Sequence, residues 1–146
     1  MRYYAAVILL AVAFASCKKD SAPTLAPTVK LEEKVDTTLS TLEKDGGGFI
    51  SRSASEGVSG NVKIYSTNGL YEVALVDFKS SNGPALKVYL SKEINPINFV
   101  SLGSLRSTMG DQLYDVPSSV NINDYQYVLI YCEQYRSLYG YAKLSN

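Results

Sequence analysis

Val62-Lys63-Ile64-Tyr65-Ser66-Thr67-Asn68-Gly69-Leu70-Tyr71-Glu72-Val73-Ala74-Leu75 reads as two strands folded about a two-residue turn. Asn-Gly between alternating apolar residues is a strong hairpin signal, because both central residues of the tight turn take positive φ. A two-residue loop pairs Thr67 with Leu70, Ile64 with Val73 and Val62 with Leu75. Val62, Ile64, Val73 and Leu75 then share one face, while Lys63, Tyr65, Glu72 and Ala74 share the other. That register buries one face and solvates the other. Carried further, it would turn Asp77 inward and Phe78 outward, so a bulge or strand end is expected near Val76.

The same period-two pattern spreads outward from this hairpin. Leu86, Val88 and Leu90 alternate with Lys87, Tyr89 and Ser91, a half-buried strand. Residues 126–131 are almost wholly apolar or aromatic and read as a central strand covered on both faces. Residues 139–144 give a last strand, turned back on its predecessor through 134–137. Gly83-Pro84, Asn95-Pro96, Gly103, Gly110 and Pro117 punctuate the chain at short intervals. No internal repeat is visible. The expectation for residues 47–146 is an all-β domain, an antiparallel sandwich or flattened barrel of about seven to nine short strands.

Composition narrows the chemistry. The 146 residues include 14 basic and 14 acidic side chains and no histidine. Balanced charge does not suit a nucleic-acid binder, which needs an excess of Lys and Arg to neutralise phosphates. Without His there is no Ser-His-Asp triad, no His general base and no His-ligated zinc or haem.

The N-terminus reads as an export signal. Met1-Arg2 supplies a positive end, and residues 7–14 form an apolar run too short for the roughly 20 residues a spanning helix needs. Phe14-Ala15-Ser16-Cys17 resembles a bacterial lipobox. That resemblance implies a signal peptide over residues 1–16 and a mature N-terminus at Cys17, its sulfur thioether-linked to diacylglycerol. The partner implied is a lipid bilayer, entered by acyl chains at roughly 0.8 kcal/mol per methylene. Lys18 rather than Asp after the Cys resembles the outer-membrane-sorted type, so a cell-envelope location is expected. Residues 17–46 then read as a linker. It begins Pro- and Thr-rich, and residues 29–44 carry seven charges. Leu31, Val35, Leu39 and Leu42 are spaced for a short amphipathic helix over 29–44, which three Thr and one Ser weaken. Twenty-nine flexible residues would hold the domain about 30 Å from the bilayer. The glycines of Asp45-Gly46-Gly47-Gly48 lack the Gly-Lys-Ser/Thr ending of a phosphate loop.

Cys132 is the sharpest chemical candidate. With Cys17 lipidated it has no disulfide partner in the chain. It shares a strand face with Val128 and Ile130, which suits a small buried hydrophobe. The sharper reading is a redox thiol, with Arg136 and Lys143 as the nearby cations, or a cofactor ligand. Haem ligation by its thiolate, with or without Met109, is chemically allowed. Covalent c-type attachment is not, because no Cys-x-x-Cys-His occurs. Asp77, Asp111, Asp115, Asp124 and Glu133 are scattered; they do not match the spacing of a calcium loop, and no carboxylate pair for glycosidase chemistry can be located among them. Tyrosines crowd the C-terminal part, and Tyr131, Tyr135, Tyr139 and Tyr141 are candidates for an aromatic platform that binds an envelope glycan or protein.

A series of short pieces carries a family resemblance. Gly57-Val58-Ser59-Gly60-Asn61-Val62-Lys63-Ile64, Val76-Asp77-Phe78 and Asn82-Gly83-Pro84-Ala85-Leu86-Lys87-Val88-Tyr89-Leu90 form its first half. Met109-Gly110-Asp111-Gln112-Leu113-Tyr114-Asp115-Val116-Pro117, Tyr127-Val128-Leu129-Ile130-Tyr131-Cys132 and Tyr139-Gly140-Tyr141-Ala142-Lys143-Leu144 form its second. In order and spacing the chain resembles the DM-thirteen, or electron-transfer DM, domain family. Ala85 stands where that family carries Asp after Gly-Pro, and Tyr131 where it carries Trp. The family's characteristic cysteine falls on Cys132, so the resemblance implies a redox or electron-transfer accessory domain centred there. A non-catalytic envelope binding module is the other function these residues allow.

Overall fold

The computed structural model describes residues 22–145. Among them are ten strands: β1 (Leu31–Glu32), β2 (Thr41–Gly48), β3 (Ile50–Ser51), β4 (Val58–Thr67), β5 (Leu70–Ser80), β6 (Leu86–Ser91), β7 (Phe99–Ser104), β8 (Met109–Val116), β9 (Tyr127–Cys132) and β10 (Ser137–Lys143). One 3-10 turn, Ile122–Asp124, is capped by the Asn121 side chain. The strands form two five-stranded sheets, ordered β1-β8-β5-β4-β2 and β3-β10-β9-β6-β7. Every pairing is antiparallel except β1 with β8. The sheets pack as a sandwich. The chain passes from one to the other between Gly48 and Ile50, and the Gly46–Leu144 bridge ties the sheets at that corner.

The central hairpin forms in the expected register. Thr67 pairs with Leu70, Ile64 with Val73 and Val62 with Leu75, and the four apolar side chains are fully buried. Asn68 and Gly69 take φ of 52° and 80°, as a two-residue turn of this hand requires. The bulge also falls where the alternation breaks. The β5–β8 register shifts between Leu75 and Phe78, and Asp77 adopts φ 49°. The extra residue turns Phe78 back into the core, where its ring meets Phe49 edge-on at 5.5 Å. The central strand is β9, flanked by β6 and β10.

The N-terminal stretch departs from expectation. No helix forms over 29–44. Leu31 lies in β1 on the edge of β8, and Leu42 lies in β2 on the edge of β4. Leu39 is 70 % exposed, so the four apolar residues never share a buried face. Thr37, Thr38, Ser40 and Thr41 are weak helix formers, and both edges of the first sheet offer unpaired backbone groups to an extended chain. Residues 33–40 therefore run from one edge to the other. Glu33 pins one end, accepting the Leu113 N–H at 2.9 Å and pairing with Arg106. At the other end the Ser40 and Thr67 hydroxyls bond at 2.6 Å. From Thr24 onward the expected flexible linker is part of the folded unit. The signal read over 1–16 and the lipidation read at Cys17 lie outside the described residues.

Candidate functional site

Cys132 ends β9 and points into the core with Val128 and Ile130, all fully buried. It is the free cysteine among the described residues. It lies opposite Leu86 of β6 and Ser137 of β10. Its thiol donates a hydrogen bond to the Pro84 carbonyl at 3.0 Å. The loop 82–85 thus caps the sulfur.

Ala85 and Asn82 hold that loop closed. Ala85 adopts φ 55°, in the left-handed region. Its N–H donates to the Thr24 carbonyl and its carbonyl accepts from the Glu133 N–H, each at 3.2 Å. Asn82 Oδ1 accepts from the N–H groups of Ala26, at 3.2 Å, and Gly83, at 2.9 Å. Its Nδ2 donates to the Ala26 carbonyl at 2.9 Å. Leu25 bridges to Pro84, and the segment continues along the domain. The Thr108 N–H donates to the Pro27 carbonyl at 2.8 Å and the Ser107 hydroxyl to the Val29 carbonyl at 2.5 Å. Residues 24–29 therefore form a strap across the loop that caps Cys132.

Tyr139 completes the closure. The β9–β10 register shifts between Leu138 and Gly140, and this irregularity turns the Tyr139 ring inward. A Cβ on Gly83 would collide with its Oη, so this approach needs glycine. Burial raises the Tyr139 phenol above its ordinary pKa, and the nearby Cys132 adds to the shift.

This arrangement has direct chemical consequences. The sulfur is enclosed and already bonded to a backbone oxygen, so the residues around it do not fit a haem, which needs an open face above its ligand. Met109 lies in the other sheet, 37 % exposed, lining a cleft with Lys30, Asp77 and Lys79. Lys143 pairs with Tyr127 at the far end of β10, about 20 Å along the strand from Ser137. Arg136 sits in the β9–β10 turn at φ 51°. Among the described residues no group of three or more carboxylates and cysteines is placed to hold a metal ion.

The tyrosine candidates separate. Tyr131 and Tyr141 lie on the outer face of the second sheet, on the Leu129 side of β9. Tyr135 is 65 % exposed in the β9–β10 turn, and Tyr139 leaves the platform for the core. Three rings that the candidate set omitted join the outer face. Tyr89 stacks between Phe99, at 4.2 Å, and Tyr131, at 5.6 Å. Tyr127 meets Tyr141 edge-on at 6.1 Å. The Tyr89 hydroxyl donates to Glu133 at 2.6 Å. Its pKa is raised, first by burial and then by that carboxylate. Alternation within β6 placed Tyr89 opposite the core side, which was the available signal.

The family model described as Electron transfer DM13 matches residues 49–144, and the chain belongs to this family. No curated protein and no solved structure gives a significant match.

Proposed function

We propose that this member of the electron transfer DM13 family is an accessory redox domain of the cell envelope, anchored through a lipidated Cys17 and acting through Cys132. The observation that carries the reading is the arrangement at the sulfur. A single thiol is enclosed by a loop and a strap, both held largely by hydrogen bonds that local opening can break. With the Cys17 sulfur in a thioether, no second thiol remains in the chain to close an internal disulfide. The redox step is then exchange with a partner disulfide. The Cys132 thiolate attacks one sulfur, a mixed disulfide forms, and the other partner sulfur leaves as a thiolate that takes up the proton Cys132 released. The partner is the oxidant, and its disulfide bond supplies the two-electron acceptor.

Incubation of the native protein with glutathione disulfide at neutral pH tests this. The expected product is a mixed disulfide on Cys132, seen by mass spectrometry without denaturant. Modification that waits for denaturant would overturn the redox role. It would leave the second reading, a binding module for a glycan or protein, which the Phe99–Tyr89–Tyr131 stack favours. The same mass spectra test the anchor: an intact Met1 or an unmodified Cys17 in protein from its own membrane would refute it.

A further inference from the structure

We infer that the end of the sandwich carrying Cys132 faces the lipid surface, with Leu25 and Tyr135 as its exposed contact residues. The inference rests on the proposed lipidation of Cys17 and adds an orientation to it. The chain joins the folded unit at this end, where Thr24 holds Ala85 and Leu25 bridges Pro84. Seven peptide units separate Cys17 from Thr24. Whatever their conformation, they span at most about 25 Å. The 11 residues of β5 alone extend about 36 Å, and the Asn68–Gly69 turn lies at the far end of that strand. A tether shorter than the body it holds keeps its attachment end close to the bilayer.

The surface chemistry agrees. Leu25 is 58 % exposed beside the strap's entry, and Tyr135 is 65 % exposed at the tip of the β9–β10 turn. Tyrosine suits the headgroup level, where its ring is apolar and its hydroxyl wet. Arg136 follows it in the turn and Arg52 donates its N–H to the Tyr139 carbonyl nearby, while Glu133 in the same turn and Glu56 near Tyr139 offset their charge, so the exposed apolar and aromatic side chains are what fit this end to the headgroup level. The thiol is thereby placed on the membrane-facing side, beneath the strap that leads to the anchor.

The chain contains no tryptophan, so Tyr135→Trp and Leu70→Trp each install a sole reporter at an exposed site, one at either end. The lipidated full-length variants are reconstituted into phosphatidylethanolamine–phosphatidylglycerol vesicles doped with dansyl-labelled headgroups. Energy transfer from the indole to the dansyl groups is expected to be several-fold greater at position 135 than at position 70. Inserting about 20 Gly and Ser residues between Ala22 and Pro23 should bring the two toward parity, because a long flexible tether no longer fixes the near end. Equal transfer in the parent pair, or more at position 70, would overturn the orientation. Protein that fails to float with the vesicles would overturn the anchor and the orientation together, so the two failures are distinguishable.

Discussion

At Cys132 one side chain both packs and bonds. Cys132→Ala removes a sulfur from a fully buried site and strips the Pro84 carbonyl of its donor. The small void and the lost bond together should cost about 1–2 kcal/mol in denaturant unfolding, with the fold retained. Cys132→Ser restores a donor and should recover part of that loss. Ala85 is the second residue of interest, since an L-residue with a Cβ held at φ 55° is strained by about 1–2 kcal/mol. Asn and Asp tolerate this region better, because their short polar side chains can hydrogen-bond locally. Ala85→Asn should raise the unfolding free energy by about 0.5–1 kcal/mol. A drop would show that the loop is shaped by something other than this dihedral.

Buried phenols set the alkaline limit. Tyr114 donates to Gln112 at 2.8 Å and accepts from the Arg106 N–H at 3.0 Å. Burial pushes its pKa up to about 12, against an ordinary value of 10.0, although the Arg106 N–H pulls the other way. Tyr89 and Tyr139 are shifted in the same direction. Below pH 10 folded and unfolded chains both keep these protons, so the phenols contribute no pH dependence. Above it the unfolded chain releases them while the folded chain holds them, and stability falls as pH rises through the window up to about 12. Denaturant midpoints from about pH 9 to about pH 11.5 should stay level and then decline, and Tyr114→Phe should flatten part of that decline.

Among the elements, the β4–β5 hairpin was legible because its rules are local. Asn68-Gly69 fixes the turn, the turn fixes the register, and the register fixes which residues are buried. The bulge at Asp77 followed from the same alternation, since Phe78 belongs inside and parity put it outside. Gly69→Val forces a β-branched residue to φ near 80° and should cost about 1–3 kcal/mol. An unchanged melting temperature would contradict the register. The strap and the crossover at 33–40 were not legible, for an equally physical reason. Their structure comes from contacts with residues 27 to 80 positions away in sequence, while the apolar spacing of residues 31–42 mimics a helix. Asn82→Ala removes two hydrogen bonds to the strap and one within its own loop. Amide exchange in residues 24–29 should accelerate in this variant, while exchange in β5 and β9 stays slow.

For the whole molecule, the class of fold and the thiol's position were readable, and the closure over the thiol was not. Cys132 shares parity with Val128 and Ile130 in the sequence, so its inward direction is local information. The loop that accepts its hydrogen bond is 48 positions away, and the strap that seals the loop stands a further 56 positions before it. The tyrosine platform was half legible. Crowding in sequence drew attention to Tyr131, Tyr135, Tyr139 and Tyr141, whereas the outer face is assembled across strands with Tyr89, Phe99 and Tyr127. The redox reading requires the sandwich to expose its thiol by opening at one end while the rest stays folded.

The most direct test follows Cys132 with a small aromatic disulfide reagent at pH 7, in wild type and in Asn82→Ala, without denaturant. One thiol should react completely in the folded wild type, at a rate set by opening of the strap and loop, and faster in Asn82→Ala at similar global stability. A thiol that stays silent in both proteins until they unfold would contradict it.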